Sequence, residues 1–232
     1  ADSYAQQLMD NYGDAYTANG IGLETLKLYQ QLQYKHTLLL DLIYGKDGET
    51  PVDDADLTEH LDSQMYELAY VNIPLYNTST FVFASDDQKA EMLQLAQQAA
   101  TAANLMDYEN VEDQVSALHA AAQSALPDIY AVLDATPSDD ASSVQTELLT
   151  ESDLTSTFTQ DGAADAVRGL VYGEAAAVQY NGYSVILMMR IDPLQVSTLD
   201  ALRSQILSDM KGEELDDALA AYGAQMASTL SS

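Results

Sequence analysis

Tyr4, Leu8, Tyr12 and Tyr16 recur every four residues and lay one apolar stripe along a helix over residues 2–18, which Asn19-Gly20 ends. Leu28, Leu32, Leu39 and Ile43 repeat helical spacing over Leu23–Tyr44, and Gly45-Lys46-Asp47-Gly48 stops that element. Pro51-Val52 leads into a short acidic helix, Asp53–Gln64. The period then falls to two. Leu68, Tyr70 and Asn72 alternate with Ala69, Val71 and Ile73, which predicts a strand over Glu67–Tyr76. Thr80–Ala84 is a second short apolar piece. Ser85 and Gln88 form a capping-box pair at the head of an Ala- and Gln-rich helix, Asp86–Leu105. A further helix, Val111–Ala125, runs up to Leu126-Pro127. Thr136–Ser143 reads as a polar loop, Val144–Leu149 as a short strand, and Asp153–Leu170 as mostly helix with Gly162 its weak point.

Gly173–Asp192 carries two apolar runs around Asn181-Gly182, a strong hairpin signal because both residues tolerate φ > 0. The second run, Tyr183–Ile191, is the densest apolar segment of the chain and is expected to be a buried central strand. Ser197-Thr198-Leu199-Asp200 opens a last helix bearing Leu199, Leu202, Ile206 and Met210, which restarts after Gly212 with Leu215, Leu219, Tyr222 and Met226. No internal repeat is visible. Few strands separated by helices predict an α+β fold. The terminal helices are amphipathic, so the economical arrangement packs the last helix against the first two.

Charge narrows the function. Eight basic residues stand against 37 acidic ones in a chain of 232, a net charge of −29. That excludes nucleic-acid binding, which needs a cationic footprint, and disfavours anionic lipid headgroups. Such acidity suits solubility in a salt- and cation-rich exterior; a sharper reading is selection of cationic clients. Absence of cysteine excludes disulfides, a thiolate nucleophile and Cys-containing zinc sites. No run approaches the ~20 apolar residues that span a bilayer. No signal peptide is present, and the start at Ala1-Asp2-Ser3 reads as that of a mature or trimmed chain. A lipid-bearing N-terminal Cys removed in this way leaves membrane anchoring an open option.

The hairpin resembles the closing hairpin of the parvulin-type peptidyl-prolyl isomerases. Gly173-Glu174, Val178, Gly182-Tyr183 and Val185-Ile186 fall into register with the pattern GE-(I/V)-S-x-(P/V)-V-x-(T/S)-x-x-G-Y-H-I. The wider layout is similar to the SurA/PrsA group of bacterial extracytoplasmic foldases, whose helical chaperone module brackets a parvulin domain. Leu23–Ile43 and Pro51–Gln64 look like that group's helices, Ala69–Leu75 sits where it writes A-R-H-I-L-V, and Leu170–Gly173 where it writes L-K-P-G. The resemblance implies a helical module from residues 1–64 and 195–232 around a parvulin-like domain, 65–194, with a small antiparallel sheet. It implies unfolded or partly folded exported polypeptides as partners, a secreted or cell-surface location, and no cofactor.

The departures fall on the chemistry. The family's two histidines correspond to Asn72 and Ser184, and its G-G-D-L-G loop has no counterpart. A prolyl isomerase must lower a barrier of ~18–20 kcal/mol by stabilising a twisted amide. Asn72 and Ser184 can hydrogen-bond to each other but cannot reproduce two imidazoles. Weak or absent isomerase activity is expected, with peptide binding through Asn72, Phe158, Tyr183 and Ser184. An altered but working isomerase and a non-catalytic scaffold remain the alternatives. Asp53, Asp54, Asp56, Glu59 and His60 have some metal-ligand character, but no metal-loop spacing accompanies them, and no metal is expected. His36 has no Glu or His four residues away. Tyr4, Tyr12 and Tyr16 line a client groove or pack ordinarily with hydroxyls at the rim. Met188, Met189, Met210 and Met226 supply adaptable surface or fill core.

Overall fold

The computed structural model describes residues 2–230, with side chains through residue 226. It is an α+β protein, 60% helical, with one small antiparallel sheet. The chain divides into two compact units, one drawn from residues 1–60 and 199–232, the other from residues 61–198.

The helical unit contains α1 (Asp2–Ala18), α2 (Leu23–Tyr44), most of α3 (Asp54–Gln64) and α9 (Leu199–Leu230). α1 is broken at Tyr12, where φ −132° and ψ 17° leave the helical region just before Gly13. The expected Tyr stripe therefore does not run straight. α9 continues through Gly212 instead of restarting there. A single interior glycine costs about 1 kcal/mol, and the packing of a 32-residue helix absorbs that. Ala5, Leu26, Leu40, Leu57, Ile206, Leu207 and Leu215 are its buried apolar side chains among the described residues.

The sheet unit holds β1 (Met65–Pro74), α4 (Asp86–Ala103), α5 (Val111–Ala131), β2 (Gln145–Thr150), α6 (Glu151–Thr157), α7 (Ala163–Arg168), β3 (Ala175–Gln179), β4 (Ser184–Arg190) and α8 (Pro193–Val196). Strand order is β2-β1-β4-β3, antiparallel throughout. The densest apolar run is thus an inner strand, β4. Period-two alternation sorts the faces. Ala69, Val71, Ile73, Val185, Leu187 and Met189 pack with α4 and α5. Tyr66, Leu68, Ile186 and Met188 pack with Leu154, Phe158, Ala163 and Val167 from the opposite side. Met188 and Met189 are therefore core residues.

Local chemistry explains the boundaries. Ser85 and Gln88 close a capping box on α4, as their spacing predicts. α5 does not stop before Pro127 but carries it inside the helix to Ala131, because Leu126, Ile129 and Tyr130 are held in the core. The expected helix over Asp153–Leu170 is two short ones, split at Gly162, whose φ is 76°. Thr80–Ala84 forms no strand; Tyr76 and Phe83 make an isolated bridge. The Asn181-Gly182 turn needs no positive φ. Instead the Asn181 side-chain oxygen accepts from Tyr183 N at 2.8 Å, an Asx-type closure. Gly173 does require its freedom. It sits at φ 82°, donates its N–H to Arg190 O at 2.7 Å, and a Cβ there would lie 3.1 Å from Gln114 Nε2.

Candidate functional site

The face of the sheet that carries Asn72 and Ser184 is set by register. Asn72 pairs with Ile186 and Ser184 with Pro74, so the two polar residues are diagonal neighbours on one face. Ser184 is buried, whereas Asn72 is exposed rather than held in the sheet core. Among the described residues no hydrogen bond joins them. Asn72 Oδ1 accepts from the Tyr180 hydroxyl at 3.4 Å, and Tyr180 N donates to Ser184 O at 3.3 Å. The buried Phe158 ring packs 5.6 Å from that of Tyr180. Asn72, Ser184 and Phe158 are thus brought together, with Tyr180 linking them. Tyr180 is not among the residues the sequence pattern points to, although its period-two spacing from Val178, one residue beyond β3, signals this face. No pair of titrating groups stands at Asn72 and Ser184, so the arrangement can accept and donate hydrogen bonds but cannot shuttle a proton.

Tyr183 does not join them. One residue from Ser184, it turns to the other side and lies 62% exposed. Its ring meets Phe83 at 5.8 Å. Phe83 meets Tyr76 at 5.5 Å, and Tyr76 stacks on Phe81 at 6.4 Å.

The helical unit presents a second surface. A groove of about 410 Å³ is lined by Leu32, Gln33, Lys35, His36, Leu39, Asp216 and Leu219. Leu28, Leu32, Leu38 and Leu42 of α2, with Leu219 and Tyr222 of α9, stand exposed. Tyr4 and Tyr12 are exposed as well. His36 Nε2 is 3.1 Å from Asp216 Oδ1 yet out of line for a hydrogen bond.

Other titratable groups are occupied structurally. Asp53 caps Asp56 N at 2.9 Å. Asp54 is bound by Arg203, whose hydrogen bond holds its carboxyl below the ordinary range. His60 pairs with Asp209 at 2.7 Å. The acidic cluster is therefore spread over a cap and two pairs, and no group of three metal-ligating side chains converges among the described residues. His119 Nδ1 contacts Ser142 O at 2.8 Å. Arg190 lies 5.1 Å from each of the Tyr66 and Tyr172 ring centres and donates to Leu170 O and Asp62 O. Burial, then the hydrogen bond to Asp62, pushes the Tyr172 hydroxyl up to about 12. Glu67 is the outlier. It is 7% exposed on inner strand β1, and burial, reinforced by the Glu147 carboxylate, pushes it up to about 7. An acid inside the run MYELAYV was the available signal.

No family model, no curated protein and no solved structure matches the chain. No helix among the described residues is long and apolar enough to cross a membrane.

Proposed function

We propose that this protein binds unfolded or partly folded polypeptides, as an extracytoplasmic foldase-like holdase whose sheet unit is parvulin-like but without prolyl-isomerase chemistry. One observation carries the reading: the groove between α2 and α9, floored by Leu32, Leu39 and Leu219 and extended by exposed Leu28 and Tyr222. Soluble chains seldom leave leucines aligned along a groove unless something apolar is to lie there. The −29 charge supports solubility while that surface stays open.

The sheet unit supports the second half of the proposal. Of the four positions given by the parvulin resemblance, Asn72 and Ser184 share one sheet face and Phe158 packs against it, while Tyr183 lies on the other side. Tyr180 and Phe158 pack across that face where an isomerase needs an apolar slot open to a proline ring.

The test is light scattering from several unrelated denatured proteins diluted into buffer. The wild-type protein suppresses their aggregation, and Leu32→Ser with Leu219→Ser weakens client binding about thirtyfold, each leucine contributing roughly 1 kcal/mol of burial. Suppression of none of them sinks the proposal in favour of a dedicated scaffold. In a proline-limited refolding assay the protein gives no acceleration; acceleration abolished by Ser184→Val would instead establish a working isomerase.

A further inference from the structure

The segment from Tyr76 to Phe83 exposes three consecutive apolar side chains. Phe81 is 73% exposed, Val82 64% and Phe83 56%, and with Tyr183 they form one continuous patch. At about 200 Å² per aromatic side chain its accessible apolar area is on the order of 400–500 Å².

The patch is held in shape. Phe81 has φ 57°, a left-handed conformation bulky residues rarely adopt. Its N–H donates to Asn77 O at 2.7 Å, and Asn77 N donates to Val82 O at 2.9 Å. The Asn77 side chain accepts from Ser79 N and Thr80 N and donates to Leu133 O at 3.2 Å. A loop so tied, in a conformation that pushes an aromatic ring outward, is arranged for presentation rather than relaxed.

Its rim is acidic. Asp86 and Asp87 follow Phe83 by three and four residues, and Asp134 adjoins the Leu133 carbonyl on which the loop is anchored; all three are exposed. Lys89, the basic residue beside them in sequence, already faces Asp86 at 3.4 Å. Area decides against a second copy of the chain, since a stable dimer needs about 800 Å² per partner. The acidic rim opposes anionic lipid.

We infer that the Tyr76–Phe83 loop with Tyr183 is a docking surface for a short apolar polypeptide segment flanked by lysine or arginine. This deepens the proposed client binding and rests on it, assigning the loop the choice among clients and the α2–α9 groove their general capture.

Fluorescence-anisotropy titration of the full chain with short leucine- and phenylalanine-containing peptides tests this, the peptides differing only in flanking Lys, Ser or Glu. The Lys-flanked peptide binds about tenfold tighter than the Glu-flanked one. Phe81→Ser with Phe83→Ser, both at exposed sites, weakens it about tenfold, leaving aggregation suppression through the α2–α9 groove in place. Asp86→Asn with Asp134→Asn lowers the Lys preference and its salt dependence without touching the rings. Equal binding of all three peptides, or full binding by the Phe81/Phe83 variant, overturns the inference while the holdase reading stands. Loss of aggregation suppression in the Leu32/Leu219 variant with none in the Phe81/Phe83 variant separates the two surfaces. Vesicle binding, or concentration-dependent dimerisation, that disappears in the Phe81/Phe83 variant overturns the inference in favour of lipid or self-association.

Discussion

The two units solve the same problem in opposite ways. In the sheet unit both faces of a four-stranded sheet are covered, and its strands and the helices over them supply most of the buried side chains. In the helical unit five leucines, Ile206 and Ala5 are buried among the described residues, while Leu28, Leu32, Leu38, Leu42, Leu219 and Tyr222 remain in water. Both units are acidic, so charge does not separate them. What separates them is that a sheet with two apolar faces must be covered twice to be stable, whereas amphipathic helices can be held by narrow seams and leave their flanks open. Stability belongs to the first arrangement and adaptable surface to the second.

The sharpest break of that contrast is a matched pair of truncations. Leu187→Ala, at a fully buried site on β4, costs about 3 kcal/mol in urea unfolding. Leu38→Ser on exposed α2 stays within about 0.5 kcal/mol. Equal costs would mean that the helical unit packs as tightly as the sheet.

Glu67 is the exception inside the tight unit. Its folded value of about 7 lies above the ordinary 4.5. The protonated form is therefore favoured on folding, and stability falls as pH rises from about 4.5 through 7. Glu67→Gln gains about 2 kcal/mol at pH 8 and nothing below pH 4.5. A gain that is the same at both pH values would locate the effect in packing rather than ionisation.

Pro127 measures how far packing overrides local preference. It is exposed within α5 and donates no N–H. Pro127→Ala raises stability by about 1–2 kcal/mol by thermal unfolding, the helix penalty of about 3 kcal/mol being offset in part by proline's restriction of the unfolded chain and by the surrounding core packing. Last and smallest, Tyr180→Phe removes a 3.4 Å hydrogen bond to exposed Asn72, and changes stability by about 0.5 kcal/mol or less. A larger loss would show that this face is held together by its polar contacts and not by Phe158.

Most elements were legible because each has a local cause. Alternation announced β1, the Ser85/Gln88 spacing announced α4, and the apolar density of residues 183–191 announced β4 as an inner strand. The misses share the opposite character. α5 passes through Pro127, and α9 through Gly212, because tertiary packing outweighs a residue's own preference. The break in α1 at Tyr12 goes the other way, with a helical stripe interrupted where glycine follows. At the site, Asn72 and Ser184 were legible as polar residues on strands, and their shared face follows from register. The resemblance groups Tyr183 with Asn72, Phe158 and Ser184 for peptide binding, but period-two geometry sends it to the other side, beside Phe83. The loop that receives it has no periodicity at all, so its four-ring cluster is a product of folding rather than of pattern.

The helical unit is assembled from both ends of the chain, and the sheet unit is one uninterrupted stretch between them. A chain emerging N-terminus first therefore exposes α1 and α2 early, completes the sheet unit at residue 198, and supplies α9 only after it. During synthesis the leucines of α2 stay without their α9 partner until α9 follows the sheet unit. The protein is, for that interval, in the same condition as the clients proposed for it.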